Sequence, residues 1–424
     1  MIKFLHDGNM HNPTGGSSSV FKKEFVNYIF SHLPKNDVRI SIGALPNSSP
    51  HFGTITTFSL AFSLAQRLKN LGKTVIVVVG IVDTATLVTD ESVFENVNYQ
   101  KSISYTKAIN NYIGDFEELL GRLSFRFGGV NYEIVNQSNF GSHRKAPEII
   151  RKILSEKEKI GQLLFPETKL LGLRSACPKC GLADRYGLKN LYDGDTINFY
   201  CPDHGWYSVD INKGNLEKLE YETPLRNLVR GLLYTEDNQE KNVSYSWLRV
   251  TGSDYAGFYQ EQLFYKGAAI LGVDIINSPM IVYTPLVIDW VGGKLSKSIL
   301  IKGGYEYLTK QGLDYLFDYR KFKEKFGNKG LEIMFDEANL WSEEPHRLFK
   351  SYTIFYFVEL FKTKIEKPEQ QEMGLDIEDN NEQVNVSAKN DEAEKKEELK
   401  KTKEIIIEAG IKDEQINQIE MPPK

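Results

Sequence analysis

Three cysteines in 424 residues are too few and too clustered for a disulfide framework, which excludes the small cross-linked secreted folds. The chain also lacks any run of the roughly 18 to 20 consecutive apolar residues that a membrane span requires. Its opening, "MIKFLHDGNMHNPTGG", has no apolar centre of the signal-peptide kind, so a cytoplasmic location without a membrane partner is expected. No internal repeat is visible. A large excess of one charge is missing too. The formal net charge is −5, and residues 363–424 hold 17 Asp and Glu against 10 Lys and Arg, leaving 40 against 42 elsewhere. So balanced a body does not coat polyanions indiscriminately, and any contact with nucleic acid is expected to be local.

What is present suits a large globular chain. With 41% apolar and 12% aromatic residues it can bury a substantial interior, and its length points to about two or three domains. "VFKKEFVNYIFSHL" has helical spacing and "DVRISI" alternates as a strand. Then "ITTFSLAFSLAQRLKNLG" reads as a helix and "KTVIVVVG" as a strand buried on both faces. Strand, small-residue turn, helix, strand is a βαβ unit, which predicts a parallel sheet with its ligand edge at the strand C-termini. From about Tyr105 to Glu158 the pattern is mostly helical, with one strand at "NYEIVNQ". Sheet-like text returns in "YSWLRVTGSD", followed by the helical "AGFYQEQLFYKGAAILG" and a strand at "PMIVYTPLVI". From Glu366 to about Lys403 the composition predicts disorder or a solvated helix.

Three stretches carry chemistry. In "GALPNSSPHFGT", Gly43 to Thr54, a small-residue loop enters a helix, whose first turn presents unpaired N–H groups and a positive dipole end to a phosphate. His51 and Thr54 there can donate to phosphate oxygens, while Gly53 leaves room for a purine or sugar. In "DWVGGKLSKSI", Lys294 and Lys297 form a cationic clamp of the kind that stabilises a leaving pyrophosphate; a solvated surface loop is the plainer reading. The third stretch is the pair "CPKCG" and "CPDHG". Cys177, Cys180, Cys201 and His204 have the spacing to surround a zinc ion tetrahedrally, with glycines easing the turns. Four protein ligands leave no open position, so such a zinc is structural.

Together the first two stretches resemble the His-Ile-Gly-His and Lys-Met-Ser-Lys-Ser signatures of class I aminoacyl-tRNA synthetases, in the same order. "TGSDY", Thr251 to Tyr255, is similar to that family's ribose-binding element. Within the class, the stretch from about Val38 to Leu300 most resembles the class I type of lysyl-tRNA synthetase. It departs by Thr54 where that type already has Asn in place of the class's His, by Leu295 for Met, by Tyr221 and Asn227 where indoles are expected, and by Gln260 for an acidic residue.

The resemblance implies an α/β fold: a Rossmann-type parallel sheet, a connective insertion bearing zinc, and a short helical C-terminal region. It divides the chain into a flexible arm (1–20), the first half of the catalytic domain (21–104), an insertion (105–230) with a zinc knuckle (177–204), the second half (231–302), a helical region (303–362) and a charged tail (363–424). It implies Mg2+ and ATP, with an amino acid, lysine among the candidates, activated as its adenylate. His51, Thr54, Lys294 and Lys297 would be catalytic. Pro50, Gly53, Gly252, Asp254 and Ser296 would hold ATP, and Gly43, Tyr255 and Tyr259 the amino acid. The acceptor expected from the resemblance is a tRNA 3′ end, with anticodon reading lost or reduced because the C-terminal region is short and lacks a basic face. A small-molecule nucleophile as acceptor, and a non-catalytic binding module, are the alternatives.

Overall fold

The computed structural model describes residues 24–83, 85–289, 292–295 and 304–366. The expected N-terminal arm, Ser296, Lys297 and the charged segment beyond residue 366 lie outside these. The expected α/β architecture with a parallel sheet is present. Strand β1 (Asp37–Ala44) leads into helix α1 (Phe52–Asn70), which returns to β2 (Thr74–Ile81). Helix α2 (Ile113–Arg126) precedes β3 (Asn131–Asn136), and α3 (Thr223–Gln239) precedes β4 (Tyr245–Gly252) and β5 (Met280–Thr284). All four pairings are parallel, in the order β5-β4-β1-β2-β3. The chain thus builds outward from β1 in one direction, comes back, and builds outward in the other. The reversal opens a crevice between the C-terminal ends of β1 and β4, where open α/β sheets take their ligands.

Side-chain alternation makes the two faces of this sheet unlike. Val38, Ile40, Ile42, Val77, Val79, Leu248 and Val250 are buried in one core with α1 and α2. The other face offers Ser41, Gly43, Trp247 and Arg249 toward α3, where Tyr234 stacks on Trp247 with ring centroids 3.9 Å apart. "PMIVYTPLVI" does not run as one strand. It divides at Pro285, which has no N–H to give a ladder, and Val287–Ile288 pairs instead with Tyr352–Thr353.

The C-terminal helices α4 (Tyr319–Glu343) and α5 (Ile354–Glu366) pack into the first core. Phe52, at the start of α1, meets Phe357 edge-on at 4.7 Å and lies 5.9 Å from Phe322. Further along, Ser63 and Arg67 of α1 hydrogen-bond to Ser342 at 2.7 Å each. The loop before α1 is tied down as well: the buried Ser49 hydroxyl accepts from the Tyr319 N–H at 3.2 Å. Ser49→Ala should therefore cost about 1–3 kcal/mol, the penalty for orphaning a buried amide, measurable by urea unfolding.

A second core joins α3 to the helices Ala146–Ser155 and Lys157–Leu164 and to Ile197, Phe199 and Val209 of the cysteine-bearing segment. That segment forms a small antiparallel sheet from Leu191–Asp193, Thr196–Cys201 and Gly205–Asp210. Leu182–Asp184 pairs with Val97–Ser102 of the hairpin that starts at Thr86. No helix among the described residues is long and apolar enough to cross a membrane.

Candidate active site

The crevice between β1 and β4 opens into a cavity of about 460 Å³, within the usual range for small-molecule sites. Three distant segments and Phe116 of α2 line it: 43–58 from the end of β1, 249–255 at the end of β4, and 285–287 with 294–295. Of the residues expected at a nucleotide and amino-acid site, Gly43, Pro50, His51, Gly53, Thr54, Gly252, Asp254, Tyr255 and Lys294 all line this one cavity.

His51 is the N-cap of α1. Its backbone is extended, and its Nδ1 accepts from the Gly53 N–H at 3.1 Å. With Nδ1 accepting, the neutral ring carries its proton on Nε2. A Cβ on Gly53 would stand 3.0 Å from Cε1 of this ring. Gly53 is thus small for the sake of the imidazole, a constraint not visible in the sequence reading.

At the opposite wall, Lys294 Nζ donates to Asp254 Oδ2. A Cβ on Gly252 would stand 2.4 Å from Asp254 Oδ1, so this glycine makes room for the carboxylate. Lys294 is placed by a turn that the sequence reading passed over. The Asp289 N–H donates to the Gly293 carbonyl at 2.8 Å, and the Gly293 N–H donates back to the Asp289 carboxylate at 2.7 Å. The Tyr305 hydroxyl holds the Lys294 carbonyl at 3.1 Å.

Arg249 lines the cavity floor and was not among the expected residues. It is 6% exposed, its Nη1 donates to Ser41 Oγ at 3.2 Å, and its Nε has no hydrogen-bond partner among the described residues. A buried charge inside an otherwise apolar strand, "WLRV", is the signal that could have found it. Tyr259, by contrast, does not line the cavity; it is buried, and its hydroxyl donates to Asn227 Oδ1 at 3.0 Å. Burial pushes the Tyr255 phenol upward, with Asp254 adding to the effect, so it stays a neutral hydroxyl.

Away from the cavity, one ligand atom from each of Cys177, Cys180, Cys201 and His204 lies within 4.8 Å of the others. The closest approaches are 3.5 Å between Cys180 and Cys201 and 3.6 Å between Cys201 and His204. Donors about 2.3 Å from a common tetrahedral ion stand about 3.7 Å apart, so the set fits zinc. Gly181 and Gly205, which follow the two ligand pairs, have φ of 78° and 74°, backbone that favours glycine.

No protein-family model and no curated protein matches the chain. Solved structures do. A Campylobacter jejuni protein described as an arginyl-tRNA synthetase is 10% identical, over 74% of this chain and 68% of that one, with a TM-score of 0.33. Arginyl-tRNA synthetase from Plasmodium falciparum is 11% identical, over 79% of this chain and 56% of that one, at 0.34. Glutamate-tRNA synthetase from Elizabethkingia anophelis is 14% identical, over 63% and 54%, at 0.30. The chain spans little more than half the length of the last two, and all three structures carry the description of an aminoacyl-tRNA synthetase.

Proposed function

We propose that this chain activates an amino acid with ATP, forming an aminoacyl-adenylate and pyrophosphate, and passes the aminoacyl group to the 3′ end of a tRNA. The observation that carries the reading is convergence: residues near 50, 250 and 294 line one cavity at the switch point of a parallel sheet. In this reading an oxygen of the amino-acid carboxylate attacks the α-phosphorus of ATP, and the bond to the bridging oxygen breaks, releasing pyrophosphate. Positioning and charge stabilisation do the work, without a covalent enzyme intermediate.

Each residue has a task in this scheme. His51, through Nε2, and Thr54 donate to phosphate oxygens at the start of α1, where the helix dipole also favours negative charge. Pro50 and Gly53 shape that turn. Asp254, given room by Gly252, accepts from the ribose hydroxyls. Lys294, joined by Lys297 and Ser296, neutralises charge developing on the pyrophosphate. Mg2+ accompanying ATP would offset further phosphate charge. Zinc at the Cys3His cluster would be structural.

The test is amino-acid-dependent exchange of labelled pyrophosphate into ATP, run with and without bulk tRNA. Exchange with one amino acid among the twenty is expected; none with any would overturn the proposal. A second reading gives the activated group to a small amine instead. It is favoured by the way α4 and α5 are engaged in covering α1. Failure to charge bulk tRNA, with exchange intact, would select it.

A further inference from the structure

Below the cavity, on the side of the sheet facing α3, Arg249 and Arg230 lie together with no hydrogen bond to a carboxylate among the described residues, and Arg226 stands beyond them in the field of Glu220 and Glu222. Arg249 donates to the Ser41 hydroxyl, Arg230 to the Asn227 carbonyl at 2.7 Å, and Arg226 to the Thr223 hydroxyl at 2.6 Å. Among the described residues each donates only to neutral oxygens. Glu220 and Glu222 bond to Arg174 and also attract Arg226, but neither faces Arg249 or Arg230 with a hydrogen bond among the described residues. The crowding of Arg249 and Arg230 has a physical signature: burial, then repulsion from Arg249, lowers the Arg230 guanidinium. Buried cations in this state are costly until an anion joins them.

Access to the group comes through one residue. Gly43 is exposed to the cavity, and a Cβ there would stand 3.3 Å from Arg249 Nη2. Arg249 is three residues before Gly252 on β4, about 10 Å deeper at the usual rise of a strand. It also lies on the face away from α1. The guanidinium therefore lines a different part of the same cavity from the His51 corner, deeper along β4 than the Lys294–Asp254 pair.

We infer that Arg249 receives the side-chain carboxylate of an acidic amino acid, aspartate or glutamate, with Arg230 behind it supplying positive potential. This rests on the adenylation reading above and names its substrate class. The α-carboxylate is not the group held there, because it must stay free to reach the α-phosphorus at the His51 corner. A lysine side chain would bring an ammonium group toward the Arg249 and Arg230 guanidinium groups. Asp254 is the only carboxylate lining the cavity among the described residues, and Lys294 already holds it.

The experiment uses the full chain in two measurements. Calorimetry with a non-hydrolysable ATP analogue present should show binding of L-glutamate or L-aspartate and none of L-lysine; pyrophosphate exchange with bulk tRNA should follow the same order. Arg249→Gln should raise the KM for the acidic amino acid about 10- to 100-fold, the loss of a charge-assisted hydrogen bond, with the KM for ATP within about twofold. Gly43→Ala, which leaves every charge in place, should act in the same direction, and melting curves of both variants control for folding. Tighter binding of lysine or a neutral amino acid overturns the inference, and so does an Arg249→Gln effect on ATP alone. Arg249-dependent binding of the acid without any exchange would uphold the carboxylate site while removing the adenylation reading.

Discussion

Lys294→Ala is expected to slow pyrophosphate exchange about 100- to 1,000-fold, the usual loss on removing one preorganised electrostatic donor. The same change should move the melting temperature by no more than about 2–3 °C. The two expectations differ because of where the ammonium sits. The Lys294 side chain is 46% exposed and that of Asp254 26%, so their ion pair is solvated and worth at most about 1 kcal/mol to the fold. Its role in the proposal begins when ATP arrives. The ribose hydroxyls then take over the Asp254 carboxylate, and the freed ammonium follows the charge that grows on the departing phosphates. Exchange at the parental rate in this variant would remove the loop from the mechanism, and a large fall in melting temperature would turn the pair into a structural one.

The parallel sheet was legible because its strands are nearly pure. "DVRISI" and "KTVIVVVG" bury one or both faces, and only a helix over each face satisfies that pattern. The metal cluster was legible for a similar local reason, since two ligand pairs with following glycines fix the turns by themselves. The order β5-β4-β1-β2-β3 was not, because β1 and β4 are about two hundred residues apart and nothing in either names the other. The same limit hid the destination of the C-terminal aromatics. Phe357 and Phe361 show helical spacing, but Phe52, which meets both of them and Phe322, lies near the other end of the described chain. Arg249 was missed for a subtler reason. Arginine in a strand normally turns its charge to water, and only the arrival of α3 on that face makes it a buried cation.

Removing the metal should have the largest structural effect, and it should stop at the insertion. The sheet formed by Leu191–Asp193, Thr196–Cys201 and Gly205–Asp210 has little apolar interior of its own, chiefly Ile197, Phe199 and Val209. Apart from the bond from the Tyr207 hydroxyl to the Ser175 carbonyl, the two knuckles are tied chiefly by the twenty residues between Cys180 and Cys201. Structural zinc sites in small peptides contribute about 10–16 kcal/mol of apparent binding energy, far more than so small a core. The central sheet shares none of these ligands and keeps α1, α2 and α4 over its apolar face. A strong chelator should therefore abolish amide-exchange protection across 177–210 and in the hairpin strand Val97–Ser102, which pairs with Leu182–Asp184, while β1, β2 and β4 stay protected. Cys201→Ser should reproduce the pattern without chelator. Elemental analysis should find one zinc per chain; a chain purified without metal, or equal protection before and after chelation, would show that the four side chains meet for packing alone.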